Sequence, residues 1–192
     1  MILFDRHAMR LLLVLLLASV CLAGPVSADA PSGTFLAVKA KTFSKDKFTF
    51  PASLKGARLN VLFLAMSEDR DNGQYQQEAL LAWHAALESA GAFADDILAY
   101  HFPVLESPPF FVKGIIASAM RDSYKGKVPL EQAGVLYVDD LEAFAAAAEL
   151  KLDARPTIVI TAADGRPLHS VKGEVSPEGV QSLIAAIQAH SR

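Results

Sequence analysis

Cysteine is almost missing from this chain, since Cys21 is the single one among 192 residues. One cysteine cannot make an intramolecular disulfide, a C-x-x-C redox pair or a metal site of several thiolates. An excess of basic residues is missing too, because 18 Lys and Arg stand against 21 Asp and Glu, a formal net charge of −3. Nucleic-acid binding needs clustered Lys and Arg that displace counterions from phosphates. The composition therefore predicts no nucleic-acid partner.

Metal-ligand spacings are also missing. The histidines are scattered, and no H-x-x-x-H or H-E-x-x-H spacing occurs. Glu68, Asp69 and Asp71 form an acidic loop before Gly73, but their spacing does not match the ligand positions of a calcium loop. Acids in this place are typical of a helix start, where they cap backbone N–H groups and interact favourably with the positive end of the helix dipole. We therefore predict no metal and no cofactor, and we expect His101 to be a core residue.

Long apolar runs are missing except near the N-terminus. Arg6 and Arg10 precede a run over residues 11–20 that is apolar except for Ser19, and small residues follow. A basic start, a short apolar core and an A-x-A-like site predict a secretory signal peptide over residues 1–28. An uncleaved membrane anchor is the alternative, but the run is shorter than the roughly 20 residues that span a bilayer.

Removal of this segment would also remove the thiol. With cleavage near Ala28 or Ala30, Cys21 leaves with the signal peptide, and the mature chain contains no cysteine. We expect the mature protein to be periplasmic or secreted, with no stable membrane span. Thiol-disulfide oxidoreductase and peroxidase activity are therefore not expected of it, because both need a thiolate.

Short apolar runs and helical periodicities alternate along the rest of the chain. The order of strands and helices predicts an α/β sandwich of three layers, with a mixed central sheet and helices on both faces. The hairpin turn at Asp164-Gly165 and the N-cap pattern Ser176-Pro177 are the clearest local signals. The expected strands are 34–40, 47–50, 59–66, 97–105, 135–138, 157–161 and 168–172, and the expected helices are 74–90, 110–120, 141–150 and 177–189.

The chain resembles the thioredoxin superfamily, and its exported thiol-disulfide and peroxiredoxin-like branch in particular. The resemblance rests on Leu54-Lys55-Gly56 before the first buried strand, and on the run from Ala154 to Ile160 with Asp164-Gly165 after it. It implies a thioredoxin-like domain over residues 43–192, preceded by a leader and first strand over residues 29–42. Phe110 to Val138 would form an insert before the C-terminal hairpin.

The sequence departs from that family where a thioredoxin carries its C-x-x-C motif. The corresponding stretch runs from Met66 to Gly73 and contains no cysteine. Ser67 has no neighbouring histidine to activate its hydroxyl. The resemblance therefore implies the fold without the thiol chemistry, and whether the protein is an enzyme of another kind stays open.

A groove beside this stretch is the candidate binding site. Pro156, if its peptide bond is cis as in the cis-proline strand of the family, would face the loop after the first buried strand. The sequence leaves the isomer open, and a cis-proline can also be kept for packing alone. Arg155 and Glu68 would supply charge at the rim of a groove that receives an extended peptide. The candidate groove residues are Met66, Ser67, Glu68, Asp69, Arg155, Pro156 and Thr157.

These observations favour a binding protein. The expected partner is an envelope protein or peptide, for which the chain would act as a chaperone or assembly factor. The alternatives are an accessory to a thiol-disulfide or peroxide-reducing system, and a binder of a small ligand or cation through the Glu68-Asp69 loop. The helix 110–120 is apolar on both faces, so the sequence leaves open whether it is core or a partner contact.

Overall fold

A computed structural model describes residues 27–29, 33–56, 58–94 and 96–191. The predicted signal peptide lies outside these residues except at its end, where Ala28 belongs to the first strand. The strands are β1 (Ser27–Asp29), β2 (Val38–Thr42), β3 (Lys47–Phe50), β4 (Leu59–Met66), β5 (Ile97–Glu106), β6 (Gly134–Val138), β7 (Thr157–Ala162) and β8 (Pro167–Lys172). The helices are α1 (Arg70–Ser89), α2 (Phe110–Tyr124), α3 (Leu141–Ala147) and α4 (Pro177–His190), with a short 3-10 helix at Leu130–Gln132.

One mixed sheet joins all of these strands in the order β1-β8-β7-β4-β5-β6-β2-β3. The inner strands β4, β5 and β6 are parallel, whereas β7 runs antiparallel to β4 and β8 antiparallel to β7. Every residue of β4 is buried, as its unbroken apolar run predicts for a strand covered on both faces. The β2–β3 hairpin extends the sheet beyond β6 and leaves β3 as an outer strand.

Helices α1 and α4 cover one face of the sheet. Trp83 of α1 is fully buried there, and its indole Nε1 donates to the Gly173 carbonyl at 2.8 Å. Gly179 of α4 lies directly against this indole, where a Cβ would overlap the ring. The two helices therefore pack closely because glycine stands at their contact. Leu80, Leu87, Leu183 and Ile187 complete this layer against the inward side chains of β4 and β7.

Helix α3 and the segment that contains Phe35, before β2, cover the opposite face. Phe144 of α3 packs against Phe35 and Phe50 in an aromatic cluster that also includes Phe102 of β5. The expected three-layer sandwich with helices on both faces is thus confirmed. Among the described residues, no helix is long and apolar enough to cross a membrane.

Helix α2 lies over β6 on the same face as α1. Ala117, Met120 and Tyr124 of the helix pack with Val135 and Tyr137 of the strand. The outward hairpin β2–β3 has no described helix above it on this side, and this arrangement creates the groove described below. The insert expected between the second buried strand and the C-terminal hairpin therefore exists and forms one wall of a surface feature.

Most strand bounds agree with the expected ones to within a few residues, and the helix ends differ more. Helix α1 begins at Arg70, four residues before the predicted start at 74, because Asp69 supplies the N-cap. Helix α2 continues past 120 to Tyr124, whose fully buried ring anchors the last turn. Helix α3 ends at Ala147, before Glu149 takes a positive φ of 54°.

Candidate functional site

The corner between β4 and α1 is where thiol chemistry would be placed. Met66 ends β4, and the Asp69 carboxylate accepts a hydrogen bond of 2.7 Å from the Asn72 amide. This bond confirms that the acidic loop caps the helix, as the sequence predicts. Ser67 donates to the Asp69 carbonyl at 2.9 Å, so its hydroxyl is part of the cap turn.

Two amide side chains close this corner. The Met66 N–H donates to Gln76 Oε1, and Gln76 Nε2 donates back to the Met66 carbonyl, both at 2.9 Å. Gln76 Nε2 also donates to Asn72 Oδ1 at 2.7 Å. Asn72 Nδ2 in turn donates to the Ala154 carbonyl at 2.9 Å and so ties the start of α1 to the segment before β7. We call these contacts of Gln76, Asn72, Met66 and Ala154 the amide staple.

The structure brings the predicted groove residues to one corner but buries half of the groove. Met66, Pro156 and Thr157 are buried, whereas Glu68, Asp69 and Arg155 are exposed and Ser67 is half-buried. The cis-proline of the family is not found at Pro156, where the sequence leaves the isomer open: the Arg155–Pro156 bond is trans, and the cis bond found in the described residues is Phe50–Pro51. The amide staple joins the two segments between which the sequence places the peptide.

The charge of Arg155 is already engaged. Its guanidinium donates to the Asp153 carboxylate at 2.9 Å, and Lys172 Nζ lies 3.5 Å from the same carboxylate. Burial works to raise the pKa of Asp153, but the hydrogen bonds from Arg155 and the charge of Lys172 outweigh it and lower that pKa. Arg155 therefore serves the loop before β7 and is not held ready for a partner.

An open groove lies instead between α2 and the β2–β3 hairpin. Its volume is about 930 Å³. Three apolar side chains of α2 stand in solvent at or beside it: Phe110 is 90 % exposed, Phe111 76 % and Ile115 69 %. Described residues that line it are Lys39, Ala40, Lys41, Lys47, Phe48, Thr49, Ser53, Phe110, Phe111, Lys113, Gly114, Ala117, Val135 and Tyr137. We call this feature the lysine groove.

The described lining of the lysine groove contains four lysines. Its described lining includes Lys39, Lys41, Lys47 and Lys113 and no Asp or Glu. Lys113 Nζ lies 5.0 Å from the centre of the Tyr137 ring and donates to Ser107 Oγ at 3.2 Å. Within the described ranges, none of these four lysines forms an ion pair.

Solved structures of other proteins share the fold of this chain. Arabidopsis thaliana ScoI with copper bound matches with a TM-score of 0.55 and 6 % identity, over 81 % of this chain and 98 % of that one. Yeast Sco1 with copper bound matches with a TM-score of 0.51 and 11 % identity, over 85 % and 94 %. BsSco, a member of the Sco family of cytochrome c oxidase assembly proteins, matches with a TM-score of 0.50 and 11 % identity, over 85 % of this chain and 96 % of that one. The fold is thioredoxin-like. No protein-family model matches the sequence, and no curated protein does.

Two histidines of this thioredoxin-like fold contact each other in the core. Nε2 of the buried His101 lies 3.0 Å from Nδ1 of His84, and the His101 ring stacks on Phe63 with centres 4.4 Å apart. The core position expected for His101 is confirmed. Burial lowers the pKa of both imidazoles, and that of His101 lies well below its usual range. No group of three His, Cys, Asp or Glu side chains close enough for a metal occurs in the described part of the chain.

The copper named for the Sco neighbours therefore finds no matching donors here. Cys21 is the single cysteine of the chain and lies outside the described residues, so the described residues offer no thiolate, a ligand type that Cu(I) prefers. The described residues do not fit a copper centre. What the arrangement offers is contact surface, since exposed apolar side chains and unpaired ammonium groups stand together in the lysine groove.

Sequence reasoning missed the lysine groove. A signal for it exists, because Lys39, Lys41 and Lys47 fall on one face of the predicted hairpin by the two-residue period of a strand. The exposure of Phe110 and Phe111 has no such signal, because α2 is apolar on both sides and the sequence does not tell which side faces the sheet.

Proposed function

We propose that this thioredoxin-like protein acts by binding another protein, and that the lysine groove with the exposed side of α2 is the contact surface. The observation that carries this proposal is the exposure of Phe110, Phe111 and Ile115 next to one another on a single helix. Large apolar side chains grouped in solvent are typical of interaction sites, because a partner gains free energy by covering them.

The corner between β4 and α1 supports binding over thiol catalysis. Its stretch from Met66 to Gly73 contains no thiol, and the amide staple occupies the gap beside it. A thioredoxin-like fold without cysteine at this corner keeps a rigid sheet and two covered faces. On such a scaffold, a surface helix such as α2 is held in a fixed position for a partner.

The finer proposal is a chaperone or assembly factor for envelope proteins. It is supported by the secretory pattern of residues 1–28 and by the description of BsSco as one of a family of cytochrome c oxidase assembly proteins. We propose a role of that general kind, exercised through the lysine groove and without metal. The peptide groove beside Pro156, which the sequence predicts as the binding site, is less favoured because the hydrogen bonds of the amide staple cross it.

Site-specific photo-crosslinking in cells tests this proposal. A photoreactive amino acid is placed in turn at Phe111 in the contact surface, at Glu68 beside the closed corner, and at the exposed Gln181 of α4 as the matched control. We expect a discrete crosslinked protein from position 111 that is missing from position 181. Capture from position 68 alone would move the site to the β4–α1 corner, and capture from none of them would refute protein binding.

Export is a separate proposal with its own test. We propose that the chain is processed near Ala28 or Ala30 and works in the periplasm or outside the cell. N-terminal sequencing of the protein recovered from the envelope fraction should begin at or shortly after residue 29. A protein that retains residues 1–28 would support the membrane-anchor alternative.

A further inference from the structure

We infer that the partner presents to the lysine groove a protein segment that combines several carboxylates with apolar side chains. This inference rests on the proposed function and adds the chemistry of the partner to it. The lysine groove shows both halves of that chemistry, positive charge on the hairpin and bare aromatic surface on α2. Three observations carry it: the pairing of the lysines, the exposure of the helix and the shape between them.

The lysines of the hairpin are placed against one another. Lys41 of β2 lies directly opposite Lys47 of β3. Lys39 lies two residues before Lys41 in β2, on the same face of the hairpin. Like charges directly opposite each other across two strands destabilise a sheet. No carboxylate of the described lining relieves this repulsion, so a bound segment with several acids would gain favourable charge contacts and remove an existing repulsion.

The helix supplies the apolar half of the contact. Phe110 and Phe111 line the lysine groove beside Gly114, which has no side chain, and Ala117, which has only a methyl group. These two residues leave room over the helix. Lys113 lies on the same helix, above the Tyr137 ring. A segment lying between hairpin and helix therefore meets aromatic surface on one side and ammonium groups on both. Acidic residues interspersed with apolar ones satisfy both sides at once.

The outer edge of the hairpin, formed by β3, is partly hydrogen-bonded within the chain. The Thr49 N–H already donates to Ser53 Oγ at 3.1 Å, and the Thr49 carbonyl already accepts from the Ser53 N–H at 2.7 Å. The outward backbone groups of Thr49 are thus used within the chain, so that a strand added along β3 would have no pairing at this residue. This favours a segment that lies over the face of the hairpin, in the groove.

Other occupants fit the groove less well. A flat anionic membrane does not enter a concave groove whose lysines lie along the hairpin. A single fatty acid brings one carboxylate to four lysines. The N-terminal segment of this chain carries Arg6 and Arg10 beside its apolar run, so its charge has the wrong sign. An acidic and apolar protein segment matches the number of charges, their sign and the shape together.

The test begins with the protein crosslinked through position 111. Mass spectrometry identifies the partner peptide joined to that position, and capture is compared between wild type, the variant Lys39→Gln/Lys41→Gln/Lys47→Gln, and a control with the same change of charge, Lys125→Gln/Lys127→Gln/Lys151→Gln. The control lysines are exposed and lie outside the groove lining. A synthetic peptide with the identified sequence, and the same peptide with Gln for every acid, are then titrated onto the full chain by fluorescence anisotropy.

We expect the crosslinked peptide to carry net negative charge and apolar residues. Its affinity should fall about tenfold in the groove variant, because three exposed charge pairs are lost, and should remain nearly unchanged in the control. The Gln peptide should bind as weakly to wild type as the acidic peptide binds to the groove variant. Rising salt should weaken only the acidic peptide.

Two outcomes overturn the inference while leaving the proposed function intact. One is a neutral or basic crosslinked peptide; the other is an affinity lost in Phe110→Ser/Phe111→Ser but unchanged in the lysine variant. Binding of wild type to vesicles of phosphatidylglycerol and phosphatidylcholine, or to oleate, with no protein captured at position 111, would refute both the inference and the proposed function. Crosslinking of the chain to a second copy of itself would likewise replace the acidic partner with self-association.

Discussion

Gln76 shows how one side chain can take the place of several backbone partners. Met66 is the last residue of β4, and both its N–H and its carbonyl are satisfied by the same buried amide at 2.9 Å. The amide also reaches Asn72, which holds the segment before β7. Replacement of Gln76 would therefore leave two buried backbone groups without partners.

Replacement of Gln76 by Ala should lower the free energy of unfolding by about 2–4 kcal/mol, because the Met66 N–H and carbonyl would be buried without partners. Gln74→Ala is the matched control, since Gln74 is exposed and bonds only to Glu78. Its effect should stay within about 0.5 kcal/mol. Urea denaturation of both variants measures this difference, and equal effects would show that the amide staple contributes nothing.

The paired histidines should make stability depend on pH. Burial lowers the pKa of His84 and His101 in the folded chain, although Glu88 works against this at His84. A His whose folded pKa is depressed binds more protons when unfolded, so its contribution is fully present above the unfolded pKa and is lost as the pH falls below it. The free energy of unfolding should therefore fall between about pH 7 and about pH 5. In His101→Phe the fall should be smaller; an unchanged pH slope in that variant would contradict this cause.

At the scale of the element, two glycines distinguish a helix surface that packs against a neighbour from one that faces open space. Gly179 of α4 lies against the Trp83 ring, whereas Gly114 of α2 has nothing within 4 Å of the place where a Cβ would stand. Both residues lie within helices, so both would lose the same backbone freedom on substitution by Ala. Their neighbours alone distinguish them.

Gly179→Ala should destabilise the chain by about 1–3 kcal/mol, because the new methyl group overlaps a fixed indole. Gly114→Ala should stabilise it by up to about 1 kcal/mol, because Ala favours the helix and meets open space. Thermal unfolding of the two variants beside wild type measures the two signs. A loss of stability in Gly114→Ala would show that the lysine groove is narrower than described.

The strands and the C-terminal elements could be predicted, and the position of α2 could not. The apolar run of β4 and the Ser176-Pro177 start of α4 each carry a local signal, which the structure confirms. Helix α2 carries apolar residues all round, so only its packing on β6 decides that Ala117 and Met120 are covered while Phe111 is exposed. The trans bond before Pro156 is likewise set by tertiary contacts and not by the local sequence.

At the scale of the whole molecule, the exposed aromatic side chains lie outside the folding core. Phe110→Ser/Phe111→Ser should change the free energy of unfolding by no more than about 0.5 kcal/mol, because both rings already face solvent. Phe144→Ala, which empties the fully buried side of α3, should cost about 3–5 kcal/mol. Chemical denaturation of both variants separates the contact surface from the core. A large loss in the serine variant would assign α2 to the core.

The amide staple also bears on the history that such a chain can have. A cysteine in place of Ser67 would remove the hydroxyl that donates to the Asp69 carbonyl, beside segments that Asn72 and Gln76 join. Opening a channel there would also remove side chains that satisfy the backbone at the end of β4. A gain of thiol chemistry at this corner would thus pass through several destabilised intermediates, so that the amide staple makes such an evolutionary route unfavourable.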